Sequence, residues 1–244
     1  MNKIAIIIPS RLEASRLPNK PLKIIKNKEM ILHVHDQAIK SKSGDVYVAT
    51  PNDQIIEVVK KHGGKAVKTS ELHETGTDRI FEVFEKTLKK ETQIIINLQG
   101  DMPNINPSTI SMLVTHIKKN LCDIATLASP LDTKKDLDDP NVVKVRVNEN
   151  LNLGSFVEAK DFFRKNPGNI NRNLYHHIGI YAFTSKALIR YVKLKRSKLE
   201  LERKLEQLRA LENKMIINVG HINDYPLSVD TENDLAQIKK LMER

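Results

Sequence analysis

The sequence predicts an α/β fold in which a mostly parallel central sheet carries helices on both faces. Short apolar runs alternate with longer segments of helical periodicity through the first half of the chain, which is typical of βαβ units. The polar segments after these apolar runs are rich in Arg, Lys, Gly and Asp, as expected where ligands bind beyond the carboxyl ends of parallel strands. With 244 residues, 40% of them hydrophobic, the chain can bury a substantial core.

Strands and helices alternate regularly in the first half. Asn106-Pro107 combines an N-cap residue with proline at the first helical position, and Gly63-Gly64 is a helix stop. The predicted strands are Ile4–Ile8, Val46–Ala49, Lys65–Val67 and Ile94–Leu98. The predicted helices are Met30–Ser41, Asp53–His62, Arg79–Lys89 and Pro107–Lys119.

The second half is less regular, and Leu153–Asn173 fits neither helix nor strand clearly. Further strands are predicted at Asn141–Asn148, Ile178–Phe183 and Ile216–His221. Further helices are predicted at Ser185–Lys195, at Leu199–Glu212 and from about Thr231. Because no linker or repeat interrupts the chain, we expect one domain over residues 1–244 with an embellishment within about 132–185.

The net charge of +10 raises the possibility of nucleic-acid binding. The lysines, however, are scattered in pairs at the ends of predicted helices, where cations complement the helix dipole. Only 5% of the residues are aromatic, and no aromatic RNA-binding motif is present. We therefore expect anionic small molecules as ligands and no nucleic acid.

Cysteine content and hydropathy favour a cytoplasmic protein. Cys122 is the only cysteine, so an intramolecular disulfide is impossible and a buried apolar role is expected. No apolar run approaches the roughly 20 residues that span a bilayer, and the run Ile4–Pro9 is too short for a signal peptide. We expect no membrane association.

The loop after the first predicted strand carries three cations, Arg11, Arg16 and Lys20. Guanidinium groups donate paired hydrogen bonds to phosphate and an ammonium group adds a compact charge, so this loop can hold a polyphosphate. A basic surface loop is the alternative. The spacing of a Walker phosphate loop and that of a dinucleotide fingerprint are both absent.

A second segment, Thr75-Gly76-Thr77-Asp78-Arg79, leads into a predicted helix. Glycine allows close approach of a ligand to the backbone, and a helix N-terminus offers free N–H groups. An ordinary helix cap by Thr77 or Asp78 explains the segment equally well.

Two aspartates are candidates for binding magnesium. Asp101 follows the strand that ends near Leu98, and Asp230 follows the apolar segment Leu227–Val229, a further predicted short strand, so both should lie at the ligand edge of the sheet. Mg²⁺ takes one or two carboxylates together with substrate oxygens. Capping of a helix or turn is the alternative for each aspartate.

These segments together resemble the CMP-KDO synthetase (3-deoxy-manno-octulosonate cytidylyltransferase) family. The matching segments occur in the family's order over nearly the whole chain. They are Ile8–Arg11 with Arg16–Leu22, Thr75–Arg79, Gln99–Asp101, Asn141–Val145, His177–Tyr181, Leu205–Arg209 with Leu211–Asn213, and Ser228–Thr231.

The resemblance implies a Rossmann-like nucleotidyltransferase that converts CTP and KDO to CMP-KDO and pyrophosphate with Mg²⁺, for lipopolysaccharide synthesis, and that forms a homodimer. The nucleotide-binding residues it implies are Pro9, Ser10, Arg11, Arg16, Lys20, Thr75, Gly76, Arg79, Gln99 and Asp101. The sugar-binding residues it implies are Gln99, Arg164, His177, Tyr181, Glu206 and Gln207. Asp101 and Asp230 are implied to bind the metal and, with Lys20 and Arg11, to form the catalytic set.

Two segments depart from the family pattern. Met102 stands where the family often has Glu, and Phe162–Pro167 matches only loosely. An acceptor related to KDO, such as 8-amino-KDO or a sialic-acid-like sugar, is therefore an alternative, and a non-catalytic module that binds polyanions is the alternative of a different class.

Local pattern alone gives limited guidance for the sugar-binding residues. On one continuous helix, Leu201, Leu205, Leu208 and Leu211 would form an apolar stripe with Glu206 opposite it, towards solvent. His177 and Tyr181 would share one face of a strand or of a helix. A hydrogen-bonded core histidine is the alternative for His177.

Overall fold

The computed structural model describes residues 3–13, 16–89, 91–119, 121–131, 134–165, 172–223 and 225–243. It divides into two compact units, one formed by residues 1–112 with 226–244 and the other by residues 113–225. Parts of two predicted segments, residues 14–15 of the cationic loop and 166–171 of the ambiguous stretch, lie outside the described residues.

The first unit contains a parallel sheet of four strands in the order β5-β4-β1-β6. Its strands are β1 (Lys3–Pro9), β4 (Asp45–Thr50), β5 (Lys65–Lys68) and β6 (Thr92–Asn97). The apolar run of β1 lies between β4 and β6, with Ile6 opposite Val46 and Ile96, and it is almost completely buried. A small hairpin, β2 (Ile24–Ile25) with β3 (Lys28–Glu29), precedes the first helix.

The helices of the first unit follow its strands. They are α1 (Met30–Lys40), α2 (Asp53–Lys61), α3 (Gly76–Val83), the start of α4 (Pro107–Ile117), and α9 (Glu232–Glu243). A 3-10 turn covers Lys20–Leu22, and α3 continues into a π-helical turn over Phe84–Leu88. The cluster that packs α9 against the segment before α1 consists of Leu17, Ile25, Met30, Val229, Leu235 and Ile238.

The second unit is built around five strands whose pairings close into a ring, β10-β7-β11-β9-β8 and back to β10. The strands are β7 (Ile124–Ser129), β8 (Lys144–Val147), β9 (Phe156–Phe163), β10 (Leu174–Thr184) and β11 (Ile217–His221). The helices are α5 (Lys134–Asp138), α6 (Ser185–Lys193), α7 (Lys198–Arg203) and α8 (Gln207–Glu212). Only β11 with β7 pairs in parallel within this ring; the other pairings are antiparallel.

The predicted α/β fold is confirmed, and its parallel sheet lies in the first unit. Most predicted elements are present within a few residues. The segments missed are β2, β3, β7 and α5, and the ambiguous stretch contains β9. Among the described residues, no helix is long and apolar enough to cross a membrane.

The single helix predicted over Leu199–Glu212 is wrong. The chain forms α7 and α8, separated at Lys204, whose φ of 54° is left-handed. This break turns Leu201 outward, where it is 53% exposed, so the predicted apolar stripe does not exist. The prediction that a strand precedes Asp230 is also wrong, because residues 225–230 belong to no strand.

Candidate active site

A cleft of about 460 Å³ lies in the first unit, beyond the carboxyl ends of β1 and β6. All ten residues predicted to bind the nucleotide line it, and so does Asp230. Five further lining residues were not predicted, namely Glu13, Pro21, His73, Glu74 and Gly100. Since parallel strands present their carboxyl ends at one edge of a sheet, segments far apart in sequence meet here.

The centre of the cleft is a cluster of one ammonium group and two carboxylates. Lys20 Nζ donates to Asp101 Oδ2 and to Asp230 Oδ1, each at 2.9 Å. Arg16 Nη2 donates to Asp230 Oδ2, also at 2.9 Å. Burial alone would lower the pKa of Lys20, but the two carboxylates raise it above its ordinary value. For Asp230, burial alone would raise the pKa, but the positive charges of Lys20 and Arg16 lower it below its ordinary value.

The two aspartates are held together by the backbone. Val229 N donates to Asp101 O at 2.9 Å, which joins the segment before α9 to the segment after β6. This hydrogen bond, with the apolar packing of α9, brings Asp230 beside Lys20, 210 positions earlier in the chain. The juxtaposition is therefore tertiary and has no local sequence signal.

Helix capping does not occupy the carboxylate of Asp230. Thr231 caps α9, because its Oγ1 accepts from Asp234 N at 3.2 Å. Asp234 Oδ2 in return accepts from Thr231 N at 2.8 Å and from Asp230 N at 3.0 Å. The Asp230 side chain is left for Lys20 and Arg16, and the capping alternative is excluded for this residue.

The donor set suits a hard divalent cation. Asp101 Oδ1 is buried and has no hydrogen-bond partner among the described residues, although buried polar atoms in proteins are nearly always paired. Its other oxygen and an oxygen of Asp230 already converge on one positive group, the ammonium of Lys20. Two carboxylates with substrate oxygens form the usual environment of Mg²⁺, so Asp101 and Asp230 fit this ion.

One wall of the cleft is the N-terminus of α3. Thr75 caps this helix, with Oγ1 accepting from Asp78 N at 3.1 Å. Gly76 lies against Pro9, since a Cβ on the glycine would be 3.3 Å from Pro9 Cγ. The predicted caps, Thr77 and Asp78, are therefore wrong: Thr75 has the extended backbone of an N-cap residue, and the helix begins at Gly76 rather than at Arg79. The segment that carries the cap also lines the cleft.

Arg79 is buried behind this wall and anchored by Nη1, which donates to Thr69 Oγ1 at 2.6 Å and to Ser70 O at 2.9 Å. Burial lowers the pKa of Arg79, and the like charge of Arg11 lowers it further. Two guanidinium groups that destabilise each other are both stabilised when an anion binds near them. Their proximity favours a phosphate-bearing ligand.

Gln99 and Gly100 form the floor of the cleft, between the cluster around Lys20 and the wall at the N-terminus of α3. Gln99 Nε2 donates to Asn97 Oδ1 at 3.2 Å, and Asn97 Nδ2 donates to Thr77 Oγ1 at 3.3 Å. Gly100 cannot carry a side chain without crowding, because a Cβ would lie 3.1 Å from Pro9 O. Ser10 Oγ, close to this floor, is buried without a hydrogen-bond partner.

The predicted sugar-binding residues other than Gln99 lie in the second unit. His177 and Tyr181 are on β10 with their ring centroids 5.5 Å apart, as expected for positions on one face of a strand. Glu206 stands at the N-cap of α8, and its charge raises the pKa of Tyr181, which burial already raises. The predicted solvent-facing position of Glu206 is wrong, because the break at Lys204 changes its direction.

His177 is an uncharged core histidine. Its Nε2 lies 3.0 Å from Thr126 Oγ1, and its ring makes an edge contact with Phe162. Burial lowers the pKa of His177 to about 3, with His176 contributing, so the ring is neutral at pH 7. A neutral ring can hydrogen-bond a ligand but does not supply positive charge.

Gln207 is buried beside Glu206, and Arg164 is turned to Pro140, with Nη1 donating to the Pro140 carbonyl at 3.3 Å. Their roles remain predictions.

The fold of this chain is that of nucleotidyltransferases. A nucleotidyltransferase from Methanothermobacter has a TM-score of 0.65 at 13% identity, covering 100% of this chain and 99% of that one. A cytidylyltransferase from Leptospira borgpetersenii has a TM-score of 0.66 at 18% identity, covering 100% of this chain and 87% of that one. At such identities the likeness concerns the fold alone.

The chain belongs to the cytidylyltransferase family, whose sequence pattern matches residues 5–217. It is 43% identical over 243 residues to a 3-deoxy-manno-octulosonate cytidylyltransferase of Brucella ovis, covering 97% of this chain and 94% of that protein. It is also similar to a solved structure of CMP:2-keto-3-deoxy-manno-octonic acid synthetase in complex with CTP. That structure has a TM-score of 0.89 at 35% identity, with 99% of each chain covered.

Proposed function

We propose that this chain transfers the cytidylyl group of CTP to a hydroxyl of KDO, giving CMP-KDO and pyrophosphate. The observation that carries the proposal is the arrangement of Asp101 and Asp230 around Lys20 in a cleft lined by the residues of the family's nucleotide motifs. The near full-length similarity to proteins named for this activity supports the choice of substrates.

The triphosphate would lie along the cationic side of the cleft. Arg11, Arg16 and Lys20 come from the loop after β1, and Arg79 adds a buried positive charge beside Arg11. Charge-assisted hydrogen bonds from these groups would fix the α-phosphate for in-line attack by the sugar hydroxyl. Positioning and charge neutralisation account for most of the catalysis in such reactions, so a covalent nucleophile is not required.

Asp101 and Asp230 would hold Mg²⁺, which supplies charge neutralisation on the phosphates and lowers the pKa of a hydroxyl bound beside it. Lys20 bonds both carboxylates in the structure, and in the loaded site its ammonium is free to turn to a phosphate oxygen. Arg16 remains available to keep Asp230 oriented. Asp101 Oδ1, which has no partner, gives the carboxylates a further oxygen for the cation.

The acceptor would be bound by the sugar-binding residues that the family resemblance implies. KDO is an acid, and a carboxylate needs cationic or hydrogen-bonding partners. Because His177 is neutral, we expect it to hydrogen-bond the sugar, while Arg164 is the cationic candidate. Replacing either should weaken KDO use and leave CTP binding nearly intact; an effect confined to CTP would reverse this assignment.

Pyrophosphate release with each of the four NTPs against KDO, 8-amino-KDO and a sialic acid tests the proposal. We expect turnover with CTP and KDO only. Equal turnover of ATP or GTP would contradict the nucleotide assignment, and preference for another acid would favour the alternative acceptor. RNA binding in a filter assay without any turnover would favour the polyanion-binding alternative.

We also propose a cytoplasmic homodimer that serves lipopolysaccharide synthesis. The support is the lone buried Cys122, which suits a reducing compartment, and the resemblance to the family. Sedimentation should give a dimer at micromolar concentration, and cell fractionation should recover the enzyme with cytoplasmic markers. A stable monomer would refute the dimer.

A further inference from the structure

A cluster of two histidines and one aspartate lies in the first unit among residues that do not line the cleft. His35 and Asp36 are on α1, and His62 is the C-cap residue of α2. One potential ligand atom from each of the three lies within 4.8 Å of the other two. His62 Nε2 is 2.8 Å from Asp36 Oδ1, and His35 Nδ1 is 3.7 Å from the same oxygen.

Ordinary hydrogen bonding accounts for only part of this cluster. Asp36 is paired with His62 and with Lys28, whose Nζ is 2.5 Å from Asp36 Oδ2. The side chain of His35 is only 7% exposed, yet its Nδ1 is buried with no hydrogen-bond partner in the part of the chain that the structure describes. A buried polar atom in this position requires an explanation, and a bound ion is one of the usual ones.

The orientation of the His35 ring is fixed by its surroundings. A Cβ on Gly64 would lie 2.8 Å from His35 Nε2, so the turn after α2 presses against that side of the ring. Gly64 N is itself held by Val59 O at 2.9 Å. The cluster therefore combines a rigid buried imidazole with a partly exposed one, His62 at 33%, through which an ion could enter.

We propose that His35, Asp36 and His62 form a binding site for a divalent transition-metal ion of the zinc class, which links the end of α2 to α1. Zinc takes imidazole nitrogens and a carboxylate oxygen at about 2.0–2.2 Å, which places tetrahedral ligand atoms about 3.3 Å apart. The two separations from Asp36 Oδ1, 2.8 Å to His62 Nε2 and 3.7 Å to His35 Nδ1, lie on either side of this value. Small side-chain rotations would complete the site.

The ligand types separate this site from the magnesium site proposed in the cleft. Magnesium prefers oxygen ligands in an octahedron, whereas two imidazoles with one carboxylate suit zinc, copper or nickel. Burial lowers the pKa of His35, so its ring is already neutral at pH 7. The C-terminal end of α2 adds the negative end of a helix dipole next to His62. Lys28 contacts Oδ2 of Asp36, and the ion would bind Oδ1 in place of the present contact with His62.

Zinc titration of the full-length, metal-free protein tests the site. Excess Mg²⁺ is kept in the buffer so that the carboxylates of the cleft are occupied. We expect one tight Zn²⁺ per chain, and Co²⁺ should give the intense visible absorption of a tetrahedral complex. Zinc should also raise the Tm, because an ion that binds only the folded chain stabilises it.

Two variants should remove the site without touching the cleft. H62Q and D36N should each weaken zinc binding by on the order of 100-fold and abolish the rise in Tm, since loss of a ligand costs at least as much as loss of an outer-shell partner. H33Q is the matched control, because His33 is on the same helix but bonds to Ile25 O at 2.7 Å.

H33Q should bind zinc as the wild type does. Circular dichroism verifies that each variant is folded, and pyrophosphate release with Mg²⁺ should be unchanged in H62Q. If the wild type takes up no zinc, or if H62Q binds it as tightly as H33Q, the proposal is wrong.

Discussion

Two charge clusters, one in each unit, differ in how completely their polar atoms are paired. Glu200 in the second unit is buried and accepts from Arg209 Nε at 2.8 Å, from Arg209 Nη2 at 2.6 Å, and also from Arg196 and from Ser197 N. In the first unit, Asp101 shares Lys20 with Asp230 and keeps one buried oxygen without a partner.

The contrast distinguishes a structural ion pair from a binding site. The Glu200–Arg209 pair satisfies its own atoms, links α7 to α8, and leaves nothing for a ligand. The cluster around Lys20 is only partly buried, and its carboxylates can exchange Lys20 for another cation. Both clusters contain carboxylates with lowered pKa values, so a lowered pKa does not separate them. In this comparison, incomplete pairing of polar atoms indicates function better than burial or a shifted pKa does.

The largest effect should come from neutralising the carboxylates of the cleft. Asp101→Asn and Asp230→Asn keep side-chain shape but remove the charge that a hard cation requires, so turnover should fall on the order of a thousandfold or more. Pyrophosphate release across a magnesium titration measures this. Asp53→Asn is the control, since Asp53 is an exposed aspartate paired with Lys68. Folded Asp101 and Asp230 variants with near-normal turnover would contradict the proposed metal site.

Breaking the structural pair should instead lower stability. Glu200→Gln leaves Arg209 buried beside an uncharged partner, and loss of one member of a buried ion pair typically costs about 3–5 kcal/mol. Denaturant unfolding should show this loss, while the magnesium requirement of the folded fraction stays normal. The double variant Glu200→Leu/Arg209→Met should recover part of the stability. A stable Glu200→Gln protein with an altered magnesium requirement would overturn the comparison.

An intermediate loss of turnover is expected for variants in the cationic loop after β1. Arg11→Ala removes a charge-assisted contact worth roughly 1.5–3 kcal/mol, which should raise the CTP requirement and slow turnover with little change in stability. Lys20→Ala should act similarly, and it also removes the cation between Asp101 and Asp230. Arg190→Ala, which alters an exposed arginine bonded to Asn213 O, serves as the control. Wild-type kinetics in both Arg11 and Lys20 variants would move the triphosphate elsewhere.

The smallest effect on turnover should be seen at Glu82, a well-paired carboxylate behind the cleft. Burial would raise its pKa, but Lys86, Ser70 N and His73 lower it from 4.5 to about 2. A depressed pKa contributes stability above pH 4.5 that is lost as the pH falls towards 2. Glu82→Gln should therefore flatten the acid limb of the unfolding free energy and leave turnover near normal. An unchanged acid limb would show that Glu82 is not stabilised in this way.

The sequence was sufficient for most of the first unit because its signals are local. Apolar runs specify β1 and β6, and Pro107 marks the start of α4. The break between α7 and α8 carried no such signal, since Lys204 adopts a left-handed conformation that sequence rules assign to Gly or Asn. The buried Glu200–Arg209 pair, a tertiary interaction, holds the two short helices instead.

The residues of the candidate site could be predicted, but their spatial arrangement could not. Its ten nucleotide residues came from a family resemblance, and the rule for sheet edges correctly located Asp101. The same rule also located Asp230 correctly, but for a wrong reason, because the residues directly before Asp230 form no strand. The hydrogen bond from Val229 to Asp101, which determines the position of Asp230, joins distant segments and leaves no trace in local pattern.

The origin of Asp230 in the segment 226–244 has a consequence for synthesis on the ribosome. The cationic loop and Asp101 emerge before residues 113–225, and Asp230 emerges after them. Since nascent chains fold progressively from the N-terminus, the first unit must wait, with one carboxylate missing, while the whole second unit is translated. A chain stalled before residue 226 would hold the cationic loop but not both aspartates, so the proposed metal-binding pair would be completed only late in synthesis.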